Sequence, residues 1–163
     1  ISRDHQLGGE GTFRVDAGSL GGRSFDRADA CLELAGREII LDPISVTREG
    51  GRIKGRLRFD LEADGLEGRL TVERYPIAEL VPNTMNAKGH MDAEIGLGGS
   101  LQQPLVDVKA SSPLLELSGL PLGSASIEAL VREGAADGKL QIQGEHFELE
   151  AQSQIQLSPD YAF

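Results

Sequence analysis

Residues 53–64, IKGRLRFDLEAD, constrain the fold most, because apolar and charged side chains alternate strictly along them. The odd positions are apolar or glycine, and the even positions are all charged. Successive side chains of a β-strand point to opposite faces, so the pattern predicts one long strand with an apolar face and a charged face. A helix would spread the same residues around its whole circumference.

Shorter segments repeat this alternation along the chain. They include residues 13–17, 66–72, 89–97 and 140–144, and the longest of them, residues 147–157, lies near the C-terminal end. Clusters of glycine and proline separate such segments roughly every 8–14 residues, which is typical of all-β proteins. We therefore predict an all-β fold with more than half of its residues in strands.

Prolines interrupt the rhythm in three places. Residues 75–82 lie between two prolines and carry Ile77, Leu80 and Val81 at helical spacing, which predicts one short helix. Pro43 leaves two interpretations open for the residues after it: a new strand, or the same strand past a bulge. Pro113 predicts a break between two strands.

The apolar sides of these strands need cover. Leaving a large aliphatic side chain in water forgoes roughly 1.5–3 kcal/mol, so one such strand face rivals the net stability of a domain, about 5–15 kcal/mol. A second sheet, the same sheet folded over, or a ligand could supply the cover. Gly55, Gly68, Gly89 and Gly144 share the apolar side, where they either let the sheet curl and leave space above it or fit under side chains of a facing sheet.

Composition bounds the partners. The 163 residues carry a net charge of -10 and no basic stripe with interleaved aromatics, so we expect no nucleic-acid partner. The chain begins without Met and holds no apolar run of about 18 residues, so we expect a piece of a longer protein whose membrane anchor lies elsewhere. We predict a single segment, 1–163, with weak similarity between two sub-repeats at about 11–73 and 87–157.

Sequence features that carry chemistry are sparse. His90, Asp92 and Glu94 share one side of a strand, where a metal site is sterically conceivable, but we interpret them as part of an outward polar face. The single cysteine, Cys31, is interpreted as a buried, inert thiol. Carboxylates alternate along strands instead of pairing in a cleft. We therefore expect no enzyme activity, no cofactor and no metal.

Three segments carry a resemblance to a known family. They are PIAEL at 76–80, AKGHM at 87–91 and LGGSLQQPL at 97–105. In this arrangement the chain resembles the TamB family of envelope proteins, the translocation and assembly module subunits, and their AsmA-like relatives. That family shows a Gly-x-Leu strand followed by Leu-x-Gly-Thr-Leu-x-x-Pro, and Ser100 stands here where the family often has Thr. Flanking segments at 20–25 and 50–55 are also similar to the family.

The resemblance implies a fold and a function. The fold would be a long curled β-sheet that forms an open hydrophobic trough, the β-taco, as in bridge-like lipid-transfer proteins. The function would be to shield phospholipid acyl chains crossing the periplasm of a Gram-negative bacterium, from an inner-membrane anchor toward the outer membrane. It would include assembly of outer-membrane proteins and autotransporters with a TamA-like barrel partner.

In such a trough the apolar positions of the strands would line the lipid groove, with acyl chains filling the space above Gly55 and Gly68. These predicted groove residues are Ile53, Gly55, Leu57, Phe59, Leu61, Leu66, Gly68, Leu70, Val72, Met91, Ile95, Leu97, Val106, Val108, Leu140, Ile142, Phe147, Leu149, Ile155 and Leu157. Two alternatives stay open. One is a chaperone-like module that templates outer-membrane strands by β-augmentation, and the other is an inert β-sandwich spacer. Open sheet edges also predict self-association, most strongly through residues 147–157.

Overall fold

A computed structural model describes residues 8–20, 23–81, 86–132 and 134–156. Strands hold 82% of these residues, which confirms the predicted all-β fold. The eleven strands are β1 (Gly8–Leu20), β2 (Arg23–Ala35), β3 (Glu38–Arg48), β4 (Gly51–Asp60), β5 (Gly65–Pro76), β6 (Ala87–Lys88), β7 (His90–Gly99), β8 (Pro104–Leu117), β9 (Leu120–Arg132), β10 (Ala135–Gln143) and β11 (Glu148–Gln156).

All of these strands belong to one open antiparallel sheet. Its order is β1-β2-β3-β4-β5-β7-β8-β9-β10-β11, and β6 pairs with β8 just before the start of β7. Each long strand therefore pairs with its neighbours in the chain, which leaves β1 and β11 as the two edges. The described residues form no second sheet, so the β-sandwich alternative, with its facing sheet over the glycines, is wrong for this part of the chain.

Cross-strand pairing sorts the side chains into two faces, because directly opposed residues of antiparallel strands point to the same side. One row on the first face runs Gly11, Leu32, Leu41, Leu57, Gly68, Leu97, Val106, Val131, Ala136 and Ile155. A second row runs Val15, Ala28, Val46, Ile53, Val72, Ala93, Ala110, Ile127, Leu140 and Ala151. We call this surface the apolar face.

The opposite surface is polar along equally long rows. One of them runs Arg14, Asp29, Ser45, Lys54, Thr71, Glu94, Lys109, Glu128, Lys139 and Gln152. We call this surface the charged face. The two-sided pattern thus survives across ten strands, because each register shift between neighbouring strands falls at a bulge that restores it.

The long strand predicted over residues 53–64 ends earlier than expected. β4 stops at Asp60, whose carboxylate accepts hydrogen bonds from the backbone amides of Glu62 and Ala63 at 2.9 and 3.0 Å. Such a local bond stabilises a turn in competition with the strand ladder, and it lowers the pKa of Asp60. Leu61 therefore lies in a turn, where it is 62% exposed, and not in a strand.

The prolines inside strands are accommodated by bulges. β3 continues past Pro43 with a register shift between Leu41 and Ile44, which confirms the second of the two interpretations. The predicted break at Pro113 is wrong, because β8 runs through it with a shift between Ser112 and Leu115. A bulge bends its strand and increases the local twist, so these sites curve the sheet.

Two further expectations needed correction. The alternation at residues 13–17 predicts a short strand, yet β1 already begins at Gly8 and runs to Leu20; residues 1–7 lie outside the described ranges. The predicted helix is a single 3-10 turn, Ile77–Glu79, closed by a 2.9 Å hydrogen bond from Leu80 N–H to Ile77 O. Pro76 is extended at its start and Pro82 follows closely in the sequence, which leaves too few residues for α-helical bonds.

The inward glycines have a different role from either expectation. Gly55 pairs with Leu70, and Leu57 pairs with Gly68, so each leucine stands opposite a glycine. A Cβ at Gly55 would lie 2.8 Å from Leu70 Cδ2, and one at Gly68 would overlap Leu57 Cδ2. Cross-strand leucines of the same sheet therefore fill the space above these glycines, and the prediction that acyl chains fill it is wrong.

The core is small and central. Val72, Tyr75, Ala93 and Ala110 form its buried cluster on β5, β7 and β8, and Ile53 is among the partly buried residues packed against it. The accessible surface of the chain is 11690 Å², against about 7,800 Å² for a compact protein of this mass. A single layer of sheet contributes to this difference, since no second sheet of described residues packs on either of its faces.

The glycine–leucine pairs predict a position-specific effect of Gly55→Ala. The new Cβ would overlap the Arg69 carbonyl oxygen and press on Leu70, so we expect a loss of about 1–3 kcal/mol in the free energy of unfolding. Gly11→Ala is the control, because Gly11 lies in an apolar row with nothing within 4 Å of a Cβ. Urea unfolding of both variants tests this, and equal stabilities would contradict the pairing described here.

Candidate functional site

The apolar face holds most of the predicted groove residues in continuous cross-strand rows. Those that the structure places there are Ile53, Gly55, Leu57, Phe59, Leu66, Gly68, Leu70, Val72, Met91, Ile95, Leu97, Val106, Val108, Leu140, Ile142, Leu149 and Ile155. They span β4 to β11. The face gains further apolar residues from β1 to β3, such as Phe13, Leu32 and Val46.

Three predicted groove residues are not in the described strands. Leu61 is in the turn after β4, for the reason given above. Phe147 precedes β11 in a tight hairpin but keeps the apolar side: it stands opposite Gly144, its ring occupies the place where a Gly144 Cβ would point, and its carbonyl accepts a 2.9 Å bond from Gly144 N–H. Leu157 is outside the described residues.

Shielding of the apolar face decreases from the middle of the sheet to its edges. Val72 on β5 is 4% exposed, whereas Phe13 on β1 is 55% and Ile155 on β11 is 56% exposed. Edge strands have a neighbour on one side only, so their side chains keep more contact with water. The face is therefore a graded apolar surface, best shielded where β5, β7 and β8 meet.

A short segment, residues 77–81, lies over one end of this face, and we call it the roof. Ile77 N–H donates to Gly89 O at 3.0 Å, and Ile77 is buried. Glu79 accepts a 3.1 Å hydrogen bond from the Arg48 guanidinium at the end of β3. These two contacts fix the roof on both sides.

Arg48 joins several elements at this point. Besides Glu79, its guanidinium contacts Asp26 of β2 at 3.3 Å and Glu49 at 3.1 Å. Only 22% of the Arg48 side chain is exposed, and the hydrogen bond to Glu79 raises its pKa, with smaller contributions from its other acidic neighbours. Tyr75 lies nearby, where burial raises the pKa of its phenol and Glu79 adds to the effect.

Beneath the roof is an apolar cavity of about 450 Å³, which we call the roofed cavity. Ile77, Leu80 and Val81 line it from the roof. The floor is formed by the apolar face of β7 to β10 and includes Met91, Leu115, Leu122, Ala125, Ile127, Leu140 and Ile142. Among the described residues that line it, Ser111 and Ser112 are the polar ones and none is charged.

Sequence reasoning found part of this cavity. Met91, Leu140 and Ile142 were predicted groove residues, and the roof residues were recognised by their spacing, although as a helix. Leu115, Leu122, Ala125 and Ile127 were missed. The alternation of Ala125, Ile127 and Ala129 in the sequence is the signal that could have placed two of them, Ala125 and Ile127, on the apolar face.

The charged face is covered with ion pairs between neighbouring strands. Asp29 accepts hydrogen bonds from Arg27 and Arg14, each at 2.7 Å, which lower its pKa from 3.8 to about 2. Its stabilising effect is therefore present above pH 3.8 and is lost as the pH falls toward 2. Cys31 pairs with Thr12 on this face and is only partly buried, so the prediction of a buried thiol is wrong.

The polar trio on β7 also lies on the charged face, as its parity predicts. His90, Asp92 and Glu94 are all exposed, and the Asp92 carboxylate accepts a 2.8 Å bond from Arg74 N–H at the β5 bulge. Within the described ranges no three His, Cys, Asp or Glu side chains are arranged to hold a metal ion.

Comparison of the chain with protein-family models, curated proteins and solved structures gives no match. Among the described residues, no helix has the length and apolarity needed to span a bilayer. The apolar face, the roofed cavity and the charged face are thus the features from which a function has to be inferred.

The contacts of Arg48 predict that the roof depends on Glu79. We expect Glu79→Gln to lower the thermal unfolding midpoint by about 2–4 °C, because it removes the partly buried partner of Arg48. Glu49→Gln is the control, since Glu49 contacts the same guanidinium at the same distance but is 58% exposed. Double-mutant cycles with Arg48→Met should give the larger coupling for Glu79, and equal couplings would show that Arg48 does not hold the roof.

Proposed function

We propose that this chain is a non-enzymatic, lipid-conducting segment of a periplasm-spanning envelope protein. Its apolar face would shield phospholipid acyl chains during transport between the inner and outer membranes, and so support assembly of outer-membrane proteins and autotransporters. The observation that carries the proposal is the continuity of the apolar rows, which cross ten strands without a second layer of described residues over them.

The chemistry of the apolar face suits a hydrocarbon chain. Backbone amides and carbonyls inside the sheet are used in the ladders, so the rows present aliphatic carbon and glycine to a ligand. Each methylene group taken out of water contributes about 0.8 kcal/mol without directional requirements. A surface of this kind can hold an acyl chain at many positions along a row and does not fix it at one.

Arrangement of the two faces also supports transport of lipid through water. The charged face keeps the outer side of the sheet hydrated, whereas the exposed apolar edges leave room for a lipid head group in solvent. Resemblance to the TamB family adds the setting: a periplasmic protein held in the inner membrane by a segment outside this chain and joined to a TamA-like outer-membrane barrel. No cofactor and no nucleic acid enter this proposal.

Leu57→Asp tests the lipid-conducting role. The introduced carboxylate lies in an apolar row and would meet hydrocarbon unpaired, which costs several kcal/mol. We expect photo-crosslinking to a phospholipid with a diazirine-labelled acyl chain to fall by more than about tenfold. No second layer of described residues covers Leu57, so water can solvate the charge and the protein should stay folded by circular dichroism.

Thr71→Asp is the matched control, because it adds the same charge to the charged face of the adjacent strand. Its crosslinking should equal that of the unmodified protein. If the two variants crosslink equally, the apolar face does not carry the lipid. If Leu57→Asp unfolds, the position is enclosed as in a dry core and the open-groove proposal fails.

The edges favour a second candidate function, the templating of outer-membrane strands by β-augmentation. β11, with the sequence ELEAQSQIQ, is a nine-residue edge strand without proline or lysine, the residues that often block edge pairing. Its Leu149 and Ile155 are exposed on the apolar side. An incoming strand could pair with this edge and extend the apolar rows.

Edge pairing predicts self-association of the purified protein, and Leu149→Lys should weaken it. An inward lysine on an edge strand would place a charge in the extended apolar row. Gln152→Lys is the control, since it adds the same charge on the charged face of the same strand. Sedimentation velocity at rising concentration measures the effect, and a protein that is monomeric throughout would exclude an available β11 edge.

A further inference from the structure

We propose that the roofed cavity is a seat for a single hydrocarbon chain, separate in geometry from the open apolar face. The inference rests on the proposed function, because the ligand class is the same. It adds that the groove is not uniform: one tail would be held at a fixed place under residues 77–81.

The lining of the cavity selects an occupant without polar groups. Its walls are aliphatic except for Ser111 and Ser112. Ser112 is buried, and its hydroxyl already donates to Leu114 O at 3.0 Å. A ligand placed there would find few free hydrogen-bonding partners, so an alkyl chain fits and a sugar or nucleotide does not.

A peptide is a poor occupant for the same reason. Each of its residues would bring a backbone N–H and C=O into the cavity, and buried groups of this kind need partners. Water gains few hydrogen bonds from the aliphatic lining, so its displacement by a hydrocarbon chain is favourable. The volume of about 450 Å³ lies within the usual range of small-molecule sites, about 300–1,000 Å³.

The roof makes this place different from the rest of the apolar face. A chain lying on an open row touches protein on one side, whereas a chain in the cavity touches Leu80 and Val81 above and Ala125 and Ile142 below. Contact on two sides buries more apolar surface per methylene group, and hydrophobic stabilisation grows with buried area. A hydrocarbon chain should therefore dissociate more slowly from the seat than from the open apolar face.

The roof is also built to stay in place. The Arg48–Glu79 contact attaches it to β3, and the bond from Ile77 N–H to Gly89 O attaches it to the strands beside the cavity. These contacts do not involve the cavity lining other than Ile77. The roof can therefore be loosened by a substitution that leaves the floor intact.

A photoreactive fatty acid with a diazirine in its tail tests the seat. After irradiation, peptide mapping by mass spectrometry should show labelling concentrated on residues 77–81 and 115–142. Ala125→Trp fills the cavity from its floor, and labelling there should fall by about tenfold. Ala28→Trp is the matched control, an identical change at a partly buried alanine of the apolar face on β2, away from the cavity.

Glu79→Gln is the second variant. It loosens the roof without changing the floor, so it should lower labelling of the cavity. It keeps the test decisive if Ala125→Trp does not fold. Labelling spread evenly along the apolar rows, or unchanged in both variants, overturns the seat and leaves the lipid-conducting proposal standing. No labelling of the apolar face by this probe or by labelled phospholipid overturns both proposals.

Discussion

Register between antiparallel strands is the constraint on which everything else in this sheet depends. Side chains alternate with a period of two, so a slip of one residue between two strands would move an entire apolar set to the charged face. Each strand pairs with its chain neighbour, so hairpin turns set the register locally and pass it on across ten strands. Ion pairs such as Arg14–Asp29 are exposed and contribute little stability, but they lie where the correct register places them.

Bulges preserve this register where the sequence itself breaks the alternation. In β3 the apolar positions change from odd to even between Leu41 and Ile44, and a bulge of one extra residue lies there. In β5 they change from even to odd between Val72 and Tyr75, again at a register shift. The extra residue returns the later apolar side chains to the apolar face. Each bulge therefore restores the alternation between the two faces and also bends its strand.

This explains how much of the fold could be predicted. Strict alternation was sufficient to place most of the strands and most residues of the apolar face, because it acts locally. Strand ends were less certain, since β4 ends where the Asp60 carboxylate captures backbone amides, a competition that alternation does not record. The break expected at Pro113 is a parity change inside β8, and another parity change, between Val72 and Tyr75, comes just before the residues predicted to be a helix. A parity change without a turn signal is what a bulge leaves in a sequence.

The roofed cavity could not be predicted from the alternation, because its residues are far apart in the sequence. It joins residues 77–81 to a floor that reaches Ile142, and only the three-dimensional pairing of β7 to β10 brings them together. The glycine–leucine pairs were likewise hidden, because parity shows that Gly55 faces inward but not that Leu70 covers it. Contacts of this kind depend on which residue stands opposite, which only the register decides.

A single sheet with one apolar face must also limit its own exposure to water. Shielding is greatest at β5, β7 and β8, where the core cluster lies, and falls toward β1 and β11. The roof adds cover over β7 to β10, close to this centre, and leaves the edges bare. On the proposed function, a lipid tail would enter where the face is most hydrated and be held most firmly where protein encloses it from two sides. The decrease in shielding from the central strands to the edges would then also set the path of the lipid tail along the apolar face.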